Sequence, residues 1–349
     1  MTAPTSSAQA NGQPAVASDA VDRLVADGVN DRWYPVLPSH LLGPGEVKEI
    51  RRFGYRIAIW RDDDGQVRAL EDYCPHRGAP LSAGDVLGDR LRCPYHWVEV
   101  RHDGVVTRVP GSPGCNLEGS RPTRVFPAEE QAGAIFLFKS ADLHAEQVPA
   151  LVLPEQLTDA AYSSFLCYVE WGGDYRLIAD NVMDPMHGAF LHRQSHSMAE
   201  GEMSAEFVLT DTPTGYVFAK AGQQGVNFDW TEFGDTDVMW MRLEIPYPPT
   251  GGPARTFGII GMYTPAGPDL TSVFFWRTCE VGGWQRDVWR FLYRNRLEAR
   301  HWQVLEQDRA LLERMEPDGR ERLYSHDRGL ARLRRYLRAV ATEQLAGSA

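Results

Sequence analysis

Two short stretches of the chain each combine one cysteine with one histidine at a spacing typical of metal ligands. They are Cys74-Pro-His76 and Cys93-Pro-Tyr-His96, and sixteen residues separate them. Two cysteines and two histidines suit a structural zinc site. Zinc fingers, however, usually contain a cysteine pair followed by a histidine pair, whereas here each stretch contains one residue of each type. A two-iron cluster with thiolates on one iron and imidazoles on the other needs this arrangement, so the pattern favours the cluster over zinc.

A second set of polar residues lies at short intervals further along the chain: Asn181, Asp184, His187 and His192. The first three recur every three residues, so they can form one polar stripe on a helix. His192 follows His187 by five residues, which is wrong for one face of an ideal helix. Pro185 and Gly188 lie among these residues and can supply the irregular turn that brings both imidazoles together. In the alternative interpretation, Asp184 is a helix N-cap before Pro185, and the histidines lie on the surface.

The first two stretches resemble the Rieske domain of non-haem iron oxygenases. The resemblance runs from Cys74-Pro-His-Arg-Gly-Ala-Pro-Leu-Ser-Ala-Gly84 through Cys93-Pro-Tyr-His96. It implies a [2Fe-2S] cluster held by two cysteines and two histidines: Cys74, His76, Cys93 and His96. The family usually follows the second cluster histidine with Gly-Trp, whereas this chain has Trp97-Val98. This departure removes no ligand, but the loss of a glycine bears on the backbone conformation beside the cluster.

The second set resembles the mononuclear iron site of the same family, which would make His187 and His192 two Fe(II) ligands. A carboxylate would complete a facial triad that leaves iron positions open for O2. The candidate is Asp308, which on a helix shares one stripe with apolar residues: Leu305, Leu312 and Met315. A bound metal would remove the cost of burying this carboxylate. Glu306 and Glu313 point away from the stripe and are expected to face water.

The resemblance also implies roles for Asp184 and Asn181. In the family, an aspartate at this point links a histidine of the iron site to a cluster histidine of a neighbouring subunit. Asp184 is therefore expected to bond His187 on one side and His96 of another copy on the other, along the electron path. Asn181 is expected to lie just behind the iron ligands. The family members that this chain resembles most are generally homotrimers, so the resemblance also implies a homotrimer.

The surrounding elements predict an α+β protein with two domains after a tail. Residues 1–28 are rich in small and polar residues and are expected to form a disordered tail. Short strands and turns predict an all-β Rieske domain over 29–148, including a hairpin around Asp62-Asp-Asp-Gly65. In the catalytic domain, 149–349, the patterns predict strands and helices: a helical segment near 175–192, strands at Val238–Ile245 and Thr271–Cys279, and helices near 284–316 and 325–345. The resemblance implies that this domain is a helix-grip fold, an antiparallel sheet packed on a long C-terminal helix.

Composition excludes several classes of protein. The 349 residues carry a formal net charge of −11, which argues against general nucleic-acid binding. The sequence has no apolar run of the length that a membrane span needs. Five cysteines, an odd number, do not indicate a disulfide framework, so a reducing cytoplasm is expected. No dinucleotide fingerprint is present, so a separate NAD(P)H-dependent reductase is expected, with or without a ferredoxin.

The resemblance covers most of residues 31–320 and implies the terminal oxygenase of a Rieske system. Such an enzyme uses O2 and electrons to hydroxylate, demethylate or dihydroxylate a small substrate, here expected to be aromatic. The chain is most similar to the group of vanillate demethylases, toluenesulfonate methyl-monooxygenases and phenoxybenzoate dioxygenases. A natural-product tailoring hydroxylase of the same family is one alternative. A non-catalytic Rieske electron carrier and a zinc-stapled binding protein are alternatives from other classes.

Two arginines lie on predicted strands rich in aromatic residues, Arg242 and Arg277. Either of them on a substrate carboxylate would suit an aromatic acid. The favoured interpretation is that the aromatic residues form the sheet core and the arginines face water. The remaining cysteines and the histidine after His192 are expected to be ordinary core or surface residues: Cys115, Cys167, Cys279 and His196. The other histidines show no spacing signal.

Overall fold

Three small antiparallel sheets make up the N-terminal part of the protein. The computed structural model describes residues 18–145, 147–193, 206–222, 229–246, 253, 256–316 and 320–347. The strands of this part are β1 (Arg32–Pro38), β2 (Val47–Arg52), β3 (Tyr55–Arg61), β4 (Val67–Glu71), β5 (Asp85–Leu87), β6 (Arg90–Arg92), β7 (Glu99–Arg101), β8 (Val106–Arg108), β9 (Ala128–Gln131) and β10 (Ala134–Lys139). They pair as β1-β10-β9, β2-β3-β4 and β5-β6-β7-β8. The hairpin predicted around Asp62–Gly65 is confirmed, since it joins β3 to β4.

One sheet of seven antiparallel strands forms the centre of the C-terminal part. Its strands are β11 (Tyr162–Gly172), β12 (Phe207–Thr212), β13 (Gly215–Lys220), β14 (Trp230–Asp235), β15 (Met239–Pro246), β16 (Thr256–Gly267) and β17 (Leu270–Glu280). Across the sheet they follow the order β11-β17-β16-β15-β14-β13-β12. The helices of the chain are α1 (Ser18–Ala26), α2 (Glu155–Thr158), α3 (Tyr175–Val182), α4 (His187–Phe190), α5 (Gln285–Leu292), α6 (Glu298–Leu312) and α7 (Arg328–Gly347).

The long C-terminal helix α7 packs on this sheet. Its buried residues recur at helical spacing, with Leu330, Leu333, Leu337 and Ala341 in one core with the inner face of the sheet. The Tyr216 hydroxyl of β13 donates to a main-chain oxygen of α7 at 2.9 Å. The predicted α+β architecture, with a small all-β part followed by an antiparallel sheet on a long C-terminal helix, is confirmed.

Strand β17 is buried on both faces, and this positions the cavity described below. Side chains alternate along a strand. Phe274 and Trp276 lie on one face, in a core shared with Phe136 of β10. Phe275 and Arg277 lie on the opposite face, which lines the cavity. The sheet therefore joins the N-terminal part through one surface and builds a site with the other.

Four sequence-based predictions need correction. The tail predicted over residues 1–28 is wrong from Ser18 onward, because α1 forms there and buries Val21 and Val25; residues 1–17 lie outside the described residues. The helical segment near 175–192 is broken between α3 and α4. The helix near 284–316 contains a π-helical turn at Tyr293–Leu297, and its last α-helical residue is Leu312. Met315 is consequently 44% exposed and not part of the apolar stripe.

Candidate metal sites and the cavity between sheet and helices

The two Cys-His stretches meet at one end of the β5-β6-β7-β8 sheet. Cys74 and Cys93 are buried, whereas His76 and His96 are exposed. The two imidazole rings lie 4.7 Å apart between centroids. Neither cysteine is in a disulfide. Two inner thiols and two outer imidazoles form a donor set that fits two metal ions, one deep and one near the surface, better than a single tetrahedral ion.

Both stretches use the same turn. The N–H of Gly78 donates to the Cys74 carbonyl at 2.8 Å, and the N–H of Trp97 donates to the Cys93 carbonyl at 3.1 Å. Gly78 has a φ of +75°, and Trp97 has a φ of +59°. Trp97 thus keeps the left-handed conformation that usually favours glycine, at a cost of about 1 kcal/mol. The Arg92 guanidinium packs over its indole at 4.8 Å from the ring centroid.

A close backbone approach holds the first stretch against β6. A Cβ added at Gly84 would lie 1.9 Å from the carbonyl oxygen of Arg92. We therefore expect Gly84→Ala to push the two stretches apart and to destabilise this part by about 2–3 kcal/mol. Chemical denaturation followed by the visible absorbance of the iron-loaded protein measures this. Gly111→Ala is the matched control, because no atom lies within 4 Å of a Cβ there. Equal midpoints for both variants would contradict the prediction.

His187, His192 and Asp308 converge in the C-terminal part. Their ligand atoms all lie within 4.8 Å of one another. The Asp308 Oδ1 atom lies 3.1 Å from Nε2 of His192 and 3.6 Å from Nε2 of His187. His192 and Asp308 are buried, and His187 is partly buried. Between the two histidines the chain forms the short helix α4 (His187–Phe190) and then a turn over 191–193, so His192 does not follow His187 along one regular helix.

Both imidazoles bond an oxygen atom through Nδ1. Nδ1 of His187 bonds the main-chain oxygen of Asp184. Nδ1 of His192 lies 2.9 Å from Oε1 of Gln307. Since both partners are oxygen acceptors, each imidazole carries its proton on Nδ1 and presents a lone pair on Nε2. Two neutral imidazoles and one carboxylate are the donor set of a facial metal triad, so these residues fit a mononuclear iron.

Two further predicted residues, Asn181 and Asp184, lie next to the triad. Asn181 Nδ2 donates to Asp308 Oδ1 at 3.3 Å, so it contacts the carboxylate directly. The Asp184 side chain accepts from the N–H of Met186 at 2.9 Å, while its main-chain oxygen contacts His187. The short helix α4 begins at His187, so the alternative with Asp184 as its N-cap is wrong. Glu306 is exposed and paired with Arg309, as expected for a solvated acid.

The triad lies at the wall of a largely apolar cavity between the sheet and helices α3 and α6. The space enclosed by its lining, together with the part open to solvent, measures about 750 Å³. Its lining includes residues from both sources: Trp171, Tyr263, Phe275 and Arg277 from the sheet, and His301 and Leu305 from α6. The triad therefore lies against a mostly apolar wall.

Two known protein domains match this chain, one in its N-terminal part and one in its C-terminal part. Residues 32–127 match the Rieske [2Fe-2S] domain, and residues 171–343 match the vanillate O-demethylase oxygenase C-terminal domain. The order of the two domains and the position of each set of candidate ligands within them agree with the geometry. The chain belongs to the Rieske oxygenase family.

Individual relatives of this Rieske oxygenase are distant. A vanillate O-demethylase oxygenase subunit from a Pseudomonas species is 35% identical over 42% of this chain and 43% of its own length. The 4beta-methylsterol monooxygenase of Methylococcus capsulatus is 30% identical over 60% of this chain and 63% of its own length. The alignments with the first such relatives span between 27% and 63% of their lengths. The solved oxygenase of carbazole 1,9a-dioxygenase shares the fold, with a TM-score of 0.72 at 18% identity and 95% of each chain covered.

Several residues of the site lie outside the sequence motifs that are typical of Rieske oxygenases. His301 lines the cavity two helical turns before Asp308, although no sequence motif marks it. Arg277 is buried, and the expectation that it faces water is wrong. Arg242, by contrast, is part-exposed and paired with Glu232 and Glu244. Residue 196 lies outside the described residues. None of the described helices has the length and apolar character that a bilayer crossing needs.

Proposed function

We propose that the protein is the terminal oxygenase component of a Rieske-type system. It uses O2 and electrons from a separate donor to hydroxylate, demethylate or dihydroxylate a small organic substrate. The observation that carries the proposal is the convergence of two imidazoles and one carboxylate at a largely apolar cavity. A Rieske electron carrier would need no such cavity.

Seven residues hold the two redox groups in this proposal. Two cysteines and two histidines bind the [2Fe-2S] cluster, and the triad binds Fe(II): Cys74, His76, Cys93 and His96 for the cluster, and His187, His192 and Asp308 for the iron. When bound, the cluster supplies single electrons and the iron supplies open positions for O2. Gln307 and the main chain at Asp184 orient the imidazoles, and Asn181 orients the carboxylate. The apolar walls exclude water from the reacting face.

The electrons come from outside the chain in this proposal. Relatives carry names such as "oxygenase component", and a related oxygenase has been solved in complex with ferredoxin. We infer an NAD(P)H-dependent reductase as donor, with or without a ferredoxin. The reaction takes place in the cytoplasm, where five cysteines that form no disulfide remain reduced.

The Rieske domain is assigned to residues 29–148 and the catalytic domain to 149–349.

The cluster assignment has a direct optical test. Cys93→Ser is expected to abolish the red-brown colour of the purified protein, because one iron loses a thiolate. Visible absorbance and iron content measure the result. Cys115→Ser is the control, since Cys115 is also unpaired but lies outside both motifs. If Cys93→Ser keeps the full spectrum and iron content, the cluster is held elsewhere.

The exposed position of the cluster histidines supports an assembly of several copies of the chain. His76 and His96 face the surface, so we infer that the cluster of one subunit serves the iron of its neighbour in a closed homotrimeric ring. Cys74→Ser chains lack a cluster and His187→Ala chains lack the mononuclear iron, so neither should turn over alone. Co-expression should restore part of the activity, because mixed rings pair an intact cluster with an intact iron site. Mixed rings that are verified by tag pull-down yet inactive would contradict this assembly.

A further inference from the structure

One arginine of the cavity lacks a counterion. Arg277 is 1% exposed, yet its Nε and Nη1 atoms have no hydrogen-bond partner. Within the described parts of the chain, no carboxylate forms an ion pair with it. Burial of an unpaired guanidinium is costly in free energy. Such a group is retained at a cavity wall when something from outside the chain neutralises it.

Three groups near Arg277, namely Cys167, Tyr293 and His301, cannot supply that charge, and the Asp308 carboxylate of the same cavity belongs to the triad. Burial raises the pKa of the Cys167 thiol and raises the pKa of Tyr293 to about 12. Burial, together with the charge of Arg277, lowers the pKa of His301 to about 3, so this imidazole is uncharged at neutral pH. The Phe275 ring centroid lies 5.6 Å from the guanidinium carbon and offers only a weak cation–π contact.

The other unsatisfied polar atoms of the cavity wall are also donors. The Tyr263 hydroxyl and the indole N–H of Trp171 are buried without a hydrogen-bond partner and line the same cavity as Arg277. Among the described side chains of the lining, no group that can only accept is left unsatisfied in this way. A ligand that satisfies these groups must bring acceptor oxygens and one negative charge.

We propose that the cavity is specific for small aromatic carboxylates and that Arg277 binds the carboxylate group. The aromatic ring packs against the apolar wall that Phe275 and Leu305 share with the triad. A carboxylate matches the single charge and the planar donor face of a guanidinium. This inference rests on the proposed function, because it names the substrate class of the same site. Arg277 acts here as a specificity-determining residue.

Equilibrium binding to the iron-loaded protein tests the inference without turnover. Isothermal titration calorimetry compares benzoate and its ring-substituted relatives with the corresponding benzamides, which have the same shape but no charge. We expect the best benzoate to bind at least about 30-fold more tightly than its amide. Arg277→Gln should remove this preference, and Arg277→Lys should keep part of it. Arg242→Gln is the matched control, because Arg242 has two carboxylate partners and does not line the cavity.

Two outcomes would overturn the inference. The first is a wild-type protein that binds no benzoate more tightly than its amide, a comparison that does not depend on any variant folding. The second is an Arg277→Gln variant that loses benzoate and benzamide affinity equally, which indicates a structural role. Thermal unfolding separates the cases further. Benzoate should raise the melting temperature of the wild type and of Arg242→Gln, but not that of Arg277→Gln.

A failure of the proposed function can be distinguished from a failure of the inference on Arg277. His187→Ala should lose the mononuclear iron yet keep the preference for benzoate over benzamide, because Arg277 and the apolar wall remain. A carboxylate preference in a protein that never consumes O2 with any reductase would support the binding site and refute the oxygenase. Oxygen consumption without any carboxylate preference would support the oxygenase and refute the carboxylate-binding site.

Discussion

Asp308→Ala is expected to abolish turnover and to release the mononuclear iron while the red-brown colour of the cluster remains. The carboxylate is buried and lies within 3.6 Å of both imidazole Nε2 atoms, so its loss leaves two neutral ligands for a divalent ion. We expect turnover to fall at least about a thousandfold. Iron content should fall from about three to about two per chain. His192→Ala should give the same result.

The control for this experiment lies on the same helix. Glu306 is two residues away from Asp308, exposed, and paired only with Arg309 on the surface. Glu306→Ala should therefore keep iron and activity, since surface ion pairs contribute little. Normal turnover in Asp308→Ala would mean that another residue is the third ligand. Loss of the cluster colour in the same variant would indicate general unfolding instead, which far-ultraviolet circular dichroism would detect.

The sequence predicts these candidate ligands because they lie in local motifs. Cys74 and His76 lie in one turn, and so do Cys93 and His96, so short spacing is enough to recognise them. The α+β architecture follows from strand alternation and from the helical period of α7. Asp308 was predictable because it is the acid on an otherwise apolar stripe of α6. Each of these signals is contained within about twenty residues of chain.

What the sequence does not predict depends on packing between distant segments. Arg277 was expected to face water because an arginine on a strand usually does, but β17 is covered on both faces. Gln307 orients His192 across more than a hundred residues of chain, and no local pattern marks it. The π-helical turn before α6 has no signature in the residues that form it. At Trp97 the sequence suggests a changed backbone, but the structure does not show one. The turn has the left-handed conformation although the expected glycine is absent.

Asp184→Asn is expected to leave both metals in place and to stop electron transfer from the cluster to the iron almost completely. The Asp184 side chain accepts from the N–H of Met186, and an amide oxygen can accept the same bond. The main-chain oxygen that holds His187 is unchanged. The substitution therefore preserves the local fold but removes the negative charge that we propose to link the iron site to His96 of the neighbouring subunit.

Rapid mixing with O2 and substrate measures this step. In the wild type, the reduced cluster should reoxidise as its electron reaches the iron, whereas in Asp184→Asn it should stay reduced. Asp211→Asn is the control for charge removal, because Asp211 pairs with Arg332 on the surface. Reoxidation at the wild-type rate would exclude Asp184 from the electron path. Loss of iron from Asp184→Asn would instead assign it a structural role, since the carbonyl that orients His187 lies in the same residue.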